Sequence, residues 1–137
     1  MEYKIVPLSE PQVNELEMQL EAFDKEHDAY RLNGRISIGI EKDGAIVAGL
    51  NACVTAFKIL YICTVFVRED FRRKGLGRAL MSHVEREARK LGVNTIRLDT
   101  FGFQGAAFYQ ALGYEVVGHY ANETDHYDEY FFVKRLQ

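Results

Sequence analysis

The sequence predicts an α/β (α+β) domain built on a central mixed, mostly antiparallel sheet of about six or seven strands, with residues 1–137 forming one unit. Three observations predict it. Ile36, Ile38 and Ile40 alternate with Ser37 and Gly39, and Asp43-Gly44 then turns the chain into an apolar return from Ala45, which is a β-hairpin. Leu76, Leu80, Val84, Ala88 and Leu91 make one apolar stripe at helical spacing between strand-like runs at 59–67 and 95–100. A strand, crossover helix and strand of that length set the two strands parallel. Finally, Tyr114–Tyr120 and Glu129–Leu136 flank the polar stretch 122–128 as two closing antiparallel strands.

The remaining elements follow in order. Glu2–Pro7 reads as a short strand. Ser9 and Gln12 form a capping box for a helix whose packing face is Val13, Leu16, Leu20 and Phe23. Residues 24–35 read as a helix end followed by a loop or short second helix. Gly49 marks a bulge, and a turn falls near Ala56–Ile59 with no Gly or Pro to fix it. The helix from Leu76 ends at Gly92, with Arg89 and Lys90 in the last turn, and turns Arg78, Glu85 and Arg86 to water. A short helix runs from about Gly105 to Leu112 and stops at Gly113.

Composition bounds the function. A 137-residue chain with 47% hydrophobic and 27% charged residues is an ordinary soluble domain with one core. Its formal net charge of −3 argues against a nucleic-acid-binding surface. The N-terminus lacks the apolar region of a signal peptide, so a cytoplasmic protein is expected. Cys53 and Cys63 belong to no Cys-x-x-Cys or Cys/His cluster, so reduced core thiols and no metal are expected. From Ala45 to Val67 the only charged side chain is Lys58, a length that could span a bilayer. Lys58 would sit inside the apolar slab, however, and the Val, Ile, Phe and Tyr content suits two interior strands better than a membrane span.

Function concentrates at residues 67–78. Between 68 and 78 five basic residues (Arg68, Arg72, Arg73, Lys74, Arg78) face two acids, a local charge of +3 in an acidic chain. The stretch leads into a helix N-terminus, where unpaired N–H groups and the helix dipole favour an anion. Gly75 and Gly77 let a phosphate approach the main chain, so the turn reads as a diphosphate seat. A solvated loop is the plain alternative. A dinucleotide-binding turn is another, since Asp99 lies at a suitable distance, but Leu80 stands where that fingerprint needs a small residue and seven residues separate strand from glycines. A Walker loop is excluded by the absence of Gly-Lys-Ser/Thr.

Arg72-x-x-Gly75-x-Gly77, preceded by Val67, resembles the [Q/R]-x-x-G-x-[G/A] signature of the GNAT superfamily of acetyl-CoA-dependent N-acetyltransferases. Gln104-Gly105-Ala106-Ala107-Phe108-Tyr109-Gln110-Ala111-Leu112-Gly113-Tyr114 resembles the family's second block in its Tyr-x-x-x-Gly-Tyr part, with Gln104 where Asn is usual. The two blocks span roughly residues 59–120 in the family's order.

The resemblance implies the GNAT fold, with the parallel pair splayed apart and helices on both faces of the sheet. It implies that amides and basic side chains of Arg72, Arg73, Lys74, Gly75, Leu76, Gly77 and Arg78 hold the pyrophosphate of coenzyme A. The pantetheine arm would lie along Val65, Phe66 and Val67 like an added strand, with Gln104 and Phe108 beside it. Tyr109 is implied as the general acid for the departing sulfur. The acceptor is a small-molecule or peptide amine, with Glu26, Asp28, Tyr30 and His126 as candidate substrate residues. No carboxylate occupies Tyr61–Thr64, where many relatives place one, so the base is unassigned among Glu26, Asp28, Asp99 and His126. That gap keeps a noncatalytic acyl-CoA-binding sensor as the alternative. The resemblance allows a homodimer, which no stretch of the sequence specifies.

Overall fold

The computed structural model describes residues 2–27 and 32–137. The chain divides into one unit ending at residue 31 and a second from Leu32 to Gln137. In the first unit, helix α1 (Glu10–Lys25) starts at Ser9 through the expected capping box. Gln12 Oε1 accepts from the Ser9 amide at 2.9 Å, and the Ser9 hydroxyl accepts in return from the Gln12 amide. The expected strand at Glu2–Pro7 does not form: no strand pairs with it, and extended propensity without a ladder partner does not make a strand.

The second unit contains β1 (Arg35–Lys42), β2 (Ala45–Ala56), β3 (Ile59–Val67), a 3₁₀ turn (Glu69–Phe71), α2 (Leu76–Leu91), β4 (Thr95–Phe101), α3 (Gly102–Ala111), β5 (Glu115–Asn122) and β6 (Tyr127–Arg135). Its six strands form one sheet in the order β1-β2-β3-β4-β6-β5. All neighbours are antiparallel except β3 and β4, which the α2 crossover makes parallel. Leu80, Met81, Val84 and Ala88 on α2 pack into a core with Leu60, Ile62, Ile96, Leu98 and Phe132 from the sheet, joined by Tyr109 of α3 and Tyr114. Gly92 closes α2 with φ of +90°, the left-handed conformation that its lack of Cβ permits.

The β2–β3 turn lies at residues 57–58, within the expected stretch, and places Phe57 at φ +50°, a left-handed residue that carries no sequence mark. Three local readings need correction. Gly49 pairs in register with Gly39 and Phe66, and the β2 irregularities fall elsewhere, between Asn51 and Ala52 among other places. Cys63 is exposed and Cys53 is half-buried, so the free thiols are not core residues. Burial and the neighbouring Cys53 nevertheless push the Cys63 thiol above its ordinary range.

Glu85 does not face water. Its carboxylate takes Lys134 Nζ at 2.9 Å and the Tyr114 hydroxyl at 3.3 Å, while the same ammonium donates to the Leu112 carbonyl at 2.9 Å. The two charged side chains retain only 12% and 25% exposure, enough shielding for the pair to matter. Burial, then the Glu85 carboxylate, raises the Tyr114 hydroxyl far above the ordinary tyrosine range and keeps it a donor. This cluster ties the middle of α2 to the end of α3 and to β6. Lys134→Ala strands a shielded carboxylate and is expected to cost about 1–3 kcal/mol in urea denaturation, more than an exposed ion pair returns.

Candidate active site

The parallel ladder between β3 and β4 is three residues long: Ile59 with Thr95, Leu60 with Ile96, and Tyr61 with Arg97. Beyond it β3 continues to Val67 and β4 to Phe101 without pairing to each other, which is the splay the resemblance implies. The β4-facing edge of β3 therefore keeps main-chain donors and acceptors with no strand partner.

Two adjoining clefts occupy the gap. The larger, about 680 Å³, is lined by Val65, Phe66, Val67, Arg72, Arg73, Gly75, Leu76, Gly77, Arg78, Gln104 and Phe108, with Tyr109. The smaller, about 350 Å³, is lined by Cys63, Thr64, Asp99 and Thr100 among others, and it shares Val65, Phe66, Gln104 and Tyr109 with the first. Phe71 and Phe103 also line the larger cleft and were missed in the sequence. Phe71 carried a signal, since it sits within the basic run. Phe103 lies just ahead of Gln104, where no recognised pattern marks it.

Lys74, grouped with the cofactor residues in the sequence, does not line either cleft. Its ammonium stands 5.5 Å from the centroid of the Phe71 ring, beside Arg68 at 5.4 Å and Lys42 at 5.7 Å. Three cations thus surround one ring at the larger cleft's rim, and Arg68 among them also pairs with Asp70 at 3.6 Å. Arg72 turns back, donating from Nε to the Val67 carbonyl at 2.9 Å with its guanidinium 5.5 Å from the Phe66 ring. It braces the turn between β3 and α2.

At the head of α2, Gly75 is the N-cap, with φ of +79°, and a Cβ there would meet nothing within 4 Å. Among the described residues, the amides of Arg73 to Arg78 have no hydrogen-bonding partner, and the first bond of the helix is Ala79 N–H to the Gly75 carbonyl. Open space over unpaired amides at a helix N-terminus suits a phosphate group. Gly77 has a different reason to be glycine: a Cβ would lie 3.2 Å from Phe108 Cζ, so its absence lets α3 close against α2.

In α3, Gly105 at φ +140° interrupts the helical geometry, so the regular turn carrying Phe108 and Tyr109 begins only after it. Gln104 Oε1 accepts from the Phe101 amide at 2.9 Å, which gives Gln104 a helix-start role and leaves its amide nitrogen to the clefts it lines. Tyr109 packs edge-on against Phe108 and Tyr114 and against Phe132 at 5.8 Å between centroids. It is 9% exposed, burial raises its hydroxyl above the ordinary tyrosine range, and that hydroxyl has no hydrogen-bonding partner among the described residues. It is an unsatisfied hydrogen-bond donor at the junction of the two clefts.

Glu26 caps α1 in the first unit, and Asp28 and Tyr30 lie outside the described residues. His126 sits at φ +57° in the β5–β6 turn and lines neither cleft. Among the described residues no group of His, Cys, Asp and Glu could hold a metal. No helix among them is long and apolar enough to cross a membrane.

With this geometry in hand, comparison with known proteins assigns the class: residues 3–114 match the acetyltransferase (GNAT) family model. The chain belongs to that family, whose members bind acetyl-CoA or CoA. It is similar to an acetyltransferase from Bacillus cereus ATCC 14579, at 25% identity with 98% of each chain covered and a TM-score of 0.91. It also shares its fold with an aminoglycoside 6'-N-acetyltransferase complexed with coenzyme A, at 17% identity over 93% of this chain and 81% of that one, TM-score 0.65. A 58-residue stretch is 38% identical to the L-ornithine N5-acetyltransferase NATA1 of Arabidopsis thaliana, covering 41% of this chain and 25% of that protein.

The two site glycines separate experimentally. Gly75→Ala forces a side chain into the left-handed region and is expected to cost about 1–2 kcal/mol despite the open space. Gly77→Ala meets only the movable tip of a phenyl ring and should cost less than about 1 kcal/mol. Urea denaturation of the two variants gives the ranking.

Proposed function

We propose that residues 1–137 form one N-acetyltransferase domain that moves the acetyl group of acetyl-CoA directly to a primary amine. The observation that carries this reading is the buried, unpartnered Tyr109 hydroxyl where the two clefts meet. The larger cleft fits coenzyme A by its chemistry: unpaired amides from 73 to 78 for the pyrophosphate, Arg73 and Arg78 for attraction, and the free edge of β3 for the pantetheine amides. Acetyl-CoA supplies the acetyl group as a thioester. The smaller cleft then admits the amine from the opposite side.

Proton accounting assigns the residues. The acceptor sheds one proton to water before its nitrogen can attack. As the N–C bond forms and the C–S bond breaks, Tyr109 gives its proton to the sulfur and recovers the one the new amide nitrogen releases. Burial suits Tyr109 to this role, because a hydroxyl whose pKa is raised stays protonated through neutral and mildly alkaline pH. Any loss of rate from its ionisation appears only above pH about 10. The chain's own substrate is an amine, in keeping with the names of its N-acetyltransferase relatives.

Tyr109→Phe tests the assignment cleanly, since among the described residues the hydroxyl makes no hydrogen bond that folding would miss. Free-thiol release is expected to show kcat falling by about 100-fold or more, with acetyl-CoA affinity unchanged by calorimetry. An unaltered kcat with chemistry limiting would remove Tyr109 from proton transfer.

A further inference from the structure

The geometry points to Asp99 as the seat of the acceptor's ammonium group, on a substrate that enters as a protonated primary amine. This rests on the transferase reading and adds the acceptor side of the site. Asp99 lies on β4 two residues past the last pair with β3, on the face opposite the core-facing Leu98 and Thr100. It lines the smaller cleft together with Tyr109, Thr64 and Cys63.

Its carboxylate is held but not neutralised. The Tyr61 hydroxyl donates to Asp99 Oδ2 at 3.0 Å, and burial and then that bond keep Tyr61 protonated. Arg97, two residues away on the same face, stacks its guanidinium 4.3 Å from the centroid of the Tyr61 ring. Among the described residues no cation forms an ion pair with Asp99, and Oδ1 has no partner. One oxygen is thus fixed by a tyrosine, and the other has neither a hydrogen-bond nor an ion-pair partner among the described residues.

The second observation comes from Tyr109. This residue is nine-tenths buried, its hydroxyl has no partner among the described residues, and it lines the same cleft as Asp99. A fixed anion and an unpaired proton donor on one cavity suit a substrate that arrives as a cation and leaves a sulfur needing a proton.

The seat binds and orients and takes no proton itself. R–NH₃⁺ pairs with Asp99 on entry, and its proton leaves to water through the open cleft. The freed nitrogen then attacks the thioester carbonyl as described above. Asp99 is therefore a binding residue, and its loss shows in KM.

Thiol release from acetyl-CoA, with n-butylamine and phenethylamine as acceptors, tests this in the wild type, Asp99→Asn and Asp99→Glu. Calorimetry with acetyl-CoA on the same samples reports folding and cofactor binding. Asp99→Asn keeps an acceptor for Tyr61 and removes only the charge, so KM for both amines should rise about tenfold or more with kcat within about twofold. Asp99→Glu should recover most of the loss, and acetyl-CoA affinity should stay constant across the set. An unchanged KM in Asp99→Asn overturns the seat while leaving the transferase reading intact. Acetyl-CoA binding with no thiol released by either amine in the wild type also overturns the seat. Failure of the wild type to bind acetyl-CoA overturns the transferase reading with it.

Discussion

The shortness of the β3–β4 ladder is the constraint on which the site depends. Two strands that stay paired to their ends would satisfy each other's main chain and leave no room between them. Here pairing stops at Tyr61 and Arg97, and both strands continue for several residues. What holds them apart is built into their other neighbours. The register shift of β2 against β3 at Asn51/Ala52 leaves Cys63 without a partner residue on β2 and bends β3 at the point of parting. On the other side, β4 stays fully paired with β6 from Thr95 to Phe101 and cannot follow β3.

The same opening organises the helices. α2 begins where β3 has been led away by the turn that Arg72 braces, so its unpaired amides face the larger cleft. α3 begins where β4 ends, with Gln104 holding the last β4 amide, and it is pressed against α2 through the Gly77–Phe108 contact. That contact brings Tyr109 into the gap with its ring packed and its hydroxyl unsatisfied. The cost of leaving such a hydroxyl unpaired is offset by the surrounding core, an arrangement stable proteins keep where a ligand is to complete it.

How much of this was legible depended on the distance over which each signal acts. The helix ends at Ser9 and Gly92 and the Asp43-Gly44 hairpin were readable because capping and turn chemistry are local. The glycine turn was readable as a helix start for the same reason. Strand length located the β2–β3 turn, but not its left-handed residue, because Phe57 lacks the Gly, Asn or Asp that would mark one. Glu85 looked solvent-facing by helical period alone; its partner Lys134 comes 49 residues later. Asp99 was one of several candidate proton acceptors, and the Tyr61 bond that singles it out joins strands 38 residues apart. The splay itself came from family resemblance, since nothing in the composition of β3 or β4 says where a ladder stops.

The central claim is that the amides of 73–78 and the edge of β3 receive a diphosphate cofactor and its arm. Titrating ¹⁵N-labelled protein with coenzyme A while following each amide resonance tests it most directly. The account predicts large downfield shifts for the amides at the head of α2, Gly75 and Gly77 among them, with a second group of shifts at Val65–Val67 and little change along β1. Saturable binding that leaves the 73–78 amides unmoved, or that perturbs a different surface, would contradict it.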